Sequence, residues 1–550
     1  MEGLFERRSE THRIGGCHPI GHQHTLDQVV QHRLERPTPQ ADRYHGAARV
    51  APDGARGTGE AGRTPEGRHR EPGGVRGPAE TAGGIGEAQG GEVFHAHSIA
   101  PDCDTYSMTR VSRRSPHDRE IVRLAVPALG ALAAEPLYLL ADTAIVGHLG
   151  TNPLAGLAVA GTVLTAAFSV FNFLAYSTTA SVARQVGAGN PRAAAEFGID
   201  GCWLAVGLGL TLTVLGLALA PVIVDVMGAS SAVHPLAVTY LRISILGAPA
   251  LLLTLAGAGY LRGMQDTRTT LVIAVASNTL NLILELVFVY ALDLGIAGSA
   301  WGTVIAQLAA AAAYLLVVGR SARRADASAR PRPAGIRANA SVGSRLVVRT
   351  AALLVTLLTA TAISARFGDD DVAAHQVAMQ ILLFLALSLD ALAIAAQAMV
   401  GRFLGADAAH DARTSARRLL EWGVMAGVLL AIAVALTRPW LAALFTDDGN
   451  VRALVEELLW FVAALQPAAA IVFVLDGVLI GAGDAGYLAI AMLVATVAVY
   501  LPVALLVAAV DAGLLWLWGA ISLWMIARLV GMVARYRTER WQVTGATRPT

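Results

Sequence analysis

From about residue 120 onward the chain is a series of apolar stretches, each some 20 residues or longer, separated by short polar breaks. Each stretch is long enough to cross a hydrocarbon core of about 30 Å as a helix. Twelve can be counted, at roughly 120–147, 154–183, 194–220, 232–259, 268–292, 296–319, 343–366, 372–403, 413–437, 450–480, 485–510 and 514–536. Backbone that faces lipid must satisfy its own N–H and C=O groups, so every stretch is expected to be an α-helix. The predicted fold is therefore an all-α polytopic membrane protein with twelve transmembrane helices. Residues 1–107 show no such pattern: they are rich in Gly, Arg, Glu, Pro and His and cannot bury enough surface to offset ordering entropy. They read as a disordered tail and not as a signal peptide, because no apolar run follows the early charges. Three of its histidines, His18, His22 and His24, are close in sequence, yet no carboxylate or cysteine completes a metal set. Met108 offers a second place for translation to begin.

Arginine distribution orients the spans. Arg119, Arg184, Arg192, Arg262, Arg268, the cluster from Arg320 to Arg345, the run from Arg402 to Arg418, and Arg535, Arg537 and Arg540 fall in alternate connections. The other connections carry mainly acids, such as Asp225, Asp293, Asp369 to Asp371, Asp447, Asp448 and Asp511, against Arg366, Arg438 and Arg452. By the positive-inside rule both termini are expected in the cytoplasm, in a multi-pass protein of the plasma membrane.

Composition narrows the function. With 55% hydrophobic and 15% charged residues and a mean hydropathy of +0.53, this is not the composition of a soluble enzyme. A net charge of +1 gives no footprint for nucleic acid. Three cysteines, Cys17, Cys103 and Cys202, form neither a disulfide framework nor a zinc motif. There is no Walker A run, so the chain is not expected to be an ATP-driven pump. The acid clusters at Asp369 to Asp371 and Asp447-Asp448 lie on the outer side, the wrong face for magnesium diphosphate chemistry. The expectation is a non-enzyme without cofactors, acting as a monomer in the bilayer on small molecules.

The longest internal connection, 320–342, divides the membrane part into a first lobe, 108–319, and a second, 343–536, followed by a tail, 537–550. An internal repeat supports this division. At a constant offset of 218 residues Arg184 meets Arg402, Gly187 meets Gly405, Pro249 meets Pro467, Asp266 meets Asp484 and Asp293 meets Asp511. Six helices per repeat return the chain to its starting side, so the halves should be related by an axis along the membrane normal, the parallel-repeat plan of secondary transporters.

Charges within spans are costly and mark pathways by default. Glu135 and Asp142 are seven residues apart on the first helix, hence on one face about 10 Å apart. Asn278, Asn281 and Glu285 form a second stripe at spacings of three and four on the fifth helix. Asp142 and Glu285 are predicted to be a proton-binding pair, with Glu135 nearby. The offset places Ala360, Val503, Val499 and Leu353 where the first half has Asp142, Glu285, Asn281 and Glu135, so only one half keeps the constellation. In the second half Asp390 and Asp476 could draw a cationic substrate into a cavity to which Tyr138 is also assigned. Few arginines are expected inside the membrane.

These residues resemble the multidrug and toxic compound extrusion (MATE) family, of the DNA-damage-inducible protein F (DinF) type. The resemblance rests on Leu140 to Gly150 (LADTAIVGHLG), Gln185 to Gly189, Phe403 to Ala406, Arg262 to Asp266 and Asn278 to Glu285, and covers about residues 115–536. It implies a V-shaped pair of six-helix bundles that exports diverse, often cationic, compounds in exchange for protons or sodium. Asp142 matches the coupling acid, Pro127 a proline at which the first helix bends, Asn281 and Glu285 the fifth-helix pair, and Thr303 a sixth-helix polar partner. The fifth-helix acid is usually Asp, whereas here it is Glu. A lipid-linked precursor flippase and a metabolite carrier of another family are the rival readings; a cavity lined with several arginines would favour the flippase.

Overall fold

The computed structural model describes residues 115–548, so the expectations for residues 1–107, for His18, His22 and His24 and for Met108 fall outside the described residues. Twelve helices long and apolar enough to span a membrane occupy the described part, with mean hydropathies of 1.6 to 2.6 over their most apolar 18 residues. They are α1 Asp118–Gly147, α2 Thr151–Gly187, α3 Pro191–Val226, α4 His234–Gly263, α5 Thr267–Ala291, α6 Gly295–Arg324, α7 Pro333–Phe367, α8 Asp369–Gly405, α9 Ala409–Phe445, α10 Gly449–Gly481, α11 Ala485–Ala509 and α12 Leu514–Arg537. Local chemistry sets their starts. Asn190 caps α3 through the Ala193 N–H at 3.1 Å, Asp266 caps α5 through the Thr269 N–H at 3.0 Å, and Pro333 opens α7.

The helices run past their apolar cores. α6 continues to Arg324 and α7 begins at Pro333, so only residues 325–332 lie between them, where hydropathy had suggested a connection of 320–342. The polar extension of α7 is held by the first half: Arg332 pairs with Glu196 and, at 2.8 Å, with the buried Asp200 of α3.

The repeat is legible in the backbone. Residues at positive φ recur at the same offset: Gly150 with Gly368, Gly189 with Asp407, Gln265 with Gly483, Asp293 with Asp511 and Gly295 with Gly513. Close approaches recur too. A β-carbon on Gly259 would strike the Ala175 carbonyl, and one on Gly477 the carbonyl of the equivalent Ala393. The axis itself passes where α2 crosses α8, because a β-carbon on Gly187 would overlap the Arg402 carbonyl while one on Gly405 would overlap that of Arg184. Only glycine permits backbones to come so near.

The halves are joined at the arginine-bearing end. Arg418 of α9 pairs with Asp118 at 2.6 Å, Arg402 with Glu120 at 2.9 Å, and Gln397 donates to the Tyr176 carbonyl at 2.6 Å. Ala128 and Leu132 of α1 pack on Ala391 and Ile394 of α8. Among the described residues, the hydrogen bonds and ion pairs between halves all lie between this end and mid-membrane, so the V opens toward the other side. Alanine at Gly187 or Gly405 should thus separate the halves and lower the melting temperature of the detergent-purified protein by several degrees. Gly207→Ala, on a helix face with open space around it, should leave it unchanged or slightly higher.

Candidate functional site

Asp142 is 3% exposed and Glu285 is fully buried. Helix α1 carries Asp142 into the first bundle, where it packs on α5 and α6. Ser299 of α6 donates to Asp142 Oδ1 at 2.7 Å. Glu285 lies against the Asp142 carboxyl and the Ser299 hydroxyl, and among the described residues neither Glu285 oxygen receives a donated hydrogen bond. The single proton of Ser299 is already committed to Asp142. Two carboxyl groups thus face each other in a buried pocket, and one proton between them would give Glu285 the hydrogen bond it lacks. A glycine makes the approach possible: any side chain at Gly302 of α6 would stand 3.2 Å from the Glu285 backbone nitrogen and 3.3 Å from Asn281 Oδ1.

A polar chain continues from the acids. Thr303 lies one turn beyond Ser299, receives the Asn281 amide at 3.4 Å and meets the Tyr138 hydroxyl at 3.0 Å. Tyr240 of α4 closes the pocket beside Ser299. The structure therefore gathers Asp142, Glu285, Asn281 and Thr303, and it adds Ser299 and Tyr240, which the sequence reading missed. Ser299 had a signal, sitting four residues before Thr303 and so on the same face of α6; Tyr240, about 100 residues from Asp142, had none.

Three assignments move. Tyr138 belongs to this chain of hydroxyls and not with Asp390 and Asp476. Asn278 is half-buried, one turn from Asn281, and makes no hydrogen bond among the described residues. Glu135 is exposed and stays outside the acid pocket. The reason is the path of α1, whose lower part packs on α8 through Ala128 and Leu132 while its upper part packs in the first bundle through Asp142, Ile145 and Val146. Glu135 falls between the two contacts. Helix α1 runs unbroken through Pro127 and Pro136. Pro127 cannot bond the Arg123 carbonyl, which instead accepts the Thr267 hydroxyl of α5 at 3.4 Å.

The second half holds a different set. Asp476 of α10 is 3% exposed and is gripped by two guanidiniums, Arg349 of α7 and, at 3.1 Å, Arg528 of α12. Arg528 is buried and Arg349 partly so, and together they leave Asp476 no free charge to offer a cation. Asp390 has no ion pair among the described residues and shares a small pocket with Tyr176, Arg349, Gln397 and Phe473.

A family model, MatE, matches this chain twice, over residues 127–287 and 346–506. The chain belongs to the MatE family. Among proteins similar to this MATE chain, DETOXIFICATION 44 (chloroplastic) of Arabidopsis thaliana is 33% identical over 440 residues, 77% of this chain and 83% of that protein. The DNA damage-inducible protein F of Escherichia coli K12 is 29% identical over 77% of this chain and 93% of that protein. A MATE crystal structure in the straight conformation aligns with a TM-score of 0.71 at 23% identity, covering 78% of this chain and 97% of that one. MATE proteins are membrane transporters and not enzymes, and this twelve-helix member needs no organic cofactor.

Breaking the second-half cluster tests its character. Asp476→Ala would strand the buried Arg528 guanidinium and the partly buried Arg349 and should destabilise the MATE fold by about 3–5 kcal/mol in thermal melts. Asp390→Asn should change the melting temperature little.

Proposed function

We propose that this chain is an antiporter that exports cationic or amphiphilic small molecules in exchange for protons, with Asp142 and Glu285 as the proton-coupling pair. The observation that carries the reading is the pocket in which Glu285, fully buried and receiving no donated hydrogen bond, abuts Asp142. Two like charges side by side in a buried pocket repel strongly, so protonation and deprotonation of the pair move a whole charge at a site tied to the packing of α1, α5 and α6. Protonation from outside lets α1 repack about Pro127 and weakens substrate binding; return to the inside restores the binding surface. Each ligand favours one state, which makes the exchange obligatory.

One feature supports protons over sodium: in the second half Arg349 and Arg528 occupy the Asp476 carboxylate, one of the two intramembrane acids there that could hold a sodium ion. Those same arginines do not make the cavity lined with several arginines that a flippase would need, because both are tied to the one carboxylate of Asp476. Asp390, unpaired in its pocket, is the acid assigned to attract cargo. With the arginine-bearing end cytoplasmic, as the positive-inside rule has it, the V opens outward, both termini are inside and export across the plasma membrane follows.

Transport of a cationic dye into or out of proteoliposomes under imposed gradients checks this reading. A pH gradient should drive the parent protein and a sodium gradient should not. Asp142→Asn and Glu285→Gln should each cut proton-driven transport to a small fraction of the parental rate. Glu135→Gln should keep close to the parental rate. Parental rates in both Asp142→Asn and Glu285→Gln would refute the assignment.

A further inference from the structure

The loop arginines Arg184 and Arg402 occupy equivalent positions in the repeat, yet they hold different partners. Arg402 crosses to the first half and finds Gln265 Oε1 at 2.7 Å and the Glu120 carboxylate at 2.9 Å. The residue 218 positions after Glu120 is Ala338, so Arg184 has no acid to meet on the opposite side. Arg184 is nevertheless 3% exposed. Its two terminal nitrogens donate to backbone carbonyls, those of Ala482 at 3.0 Å, Val543 at 2.7 Å and Gly545 at 2.8 Å, and the neighbouring Gln185 amide reaches the Ala546 carbonyl at 3.1 Å. Three of these four acceptors belong to the segment that follows α12.

We propose that residues 538–548 are a latch that holds the two halves together at the arginine-bearing end and must leave Arg184 and Gln185 before that end can open. The latch is hinged on the second half. Trp541 is fully buried and stacks on Tyr536 with ring centres 5.6 Å apart. The Gly545 N–H donates to the Leu404 carbonyl at 2.9 Å, and Arg548 bonds the Ala482 carbonyl at 3.1 Å and pairs with Asp484 at 3.3 Å. On the first half the grip consists of the hydrogen bonds from Arg184 and Gln185. Opening therefore breaks a few bonds on one side while the segment stays docked on the other. Gly545, at φ +104°, makes the turn that aims these carbonyls at Arg184, a conformation that residues with a β-carbon avoid. The latch supplies, for the arginine that lost its acid, the cross-half contact that Glu120 supplies for the other.

The inference rests on the alternating-access reading, and one experiment separates the two. Spin labels are placed at Arg192→Cys and His410→Cys, exposed equivalent positions of the two halves, in the full chain with its three natural cysteines replaced. Pulsed distance measurements then compare the parent, a chain ending at Thr538 and Gly545→Val. The parent should show a short-distance majority and a long-distance minority, and both variants should raise the long-to-short ratio about fivefold or more, as the loss of one or two net hydrogen bonds would. If the shortened chain does not fold, Gly545→Val alone decides. Parental distributions in the variants would overturn the latch and leave alternating access standing. Failure of Gly545→Val to fold would make the segment a strut and overturn it as well. A parent with one distance under every imposed pH gradient would instead remove the alternating-access reading.

Discussion

Two carboxyl groups pressed together away from water repel each other unless a proton lies between them, and the rest of the first half is arranged around that pressure. Asp142 is fixed by the Ser299 hydroxyl, while Glu285 is brought beside it without a donor of its own. Gly302 lets α5 and α6 close around the pair, and the chain from Asn281 through Thr303 to Tyr138 ties the pocket to the exposed middle of α1. A change of charge here is felt directly by the helix that also packs on the opposite half through Ala128 and Leu132. In the proposed cycle this is how a proton, which makes no contact with cargo, influences the cavity.

The halves descend from one pattern but have come to differ in charge. Their backbones keep paired positive-φ turns and paired close approaches, so the scaffold remains near two-fold. Their buried charges do not. One half holds Asp142 and Glu285, which have no ion pair among the described residues; the other holds Asp476 between Arg349 and Arg528, one carboxylate held by two guanidiniums. A carboxylate held by two guanidiniums has no free charge to give a passing cation. The same asymmetry recurs at the closed end, where one arginine grips a carboxylate and its repeat mate grips a segment of the chain terminus.

The sequence revealed most of what is periodic and less of what is merely near. Twelve spans, the repeat and the pairing of Asp142 with Glu285 follow from hydropathy, a fixed offset and spacings of three and four. Glu135 shows the limit of helical phase: it shares a face with Asp142, but α1 passes from one half to the other between them, and phase alone does not carry that information. Asp476 looked available because Arg349 and Arg528 are 127 and 52 residues away and on other helices. The 320–342 connection seemed long because hydropathy marks where lipid contact ends, whereas the helices continue in water, held by Arg332 against Glu196 and Asp200.

The most direct test of the account is proton release in weakly buffered detergent solution as a cationic substrate is titrated onto the purified protein. Proton binding at the Asp142 and Glu285 pair and substrate binding in the cavity are held to exclude each other, so close to one proton should leave per substrate bound, and Glu285→Gln should bind substrate with no release. Substrate binding to the parent without any proton release, or equal release from Glu285→Gln, would contradict it.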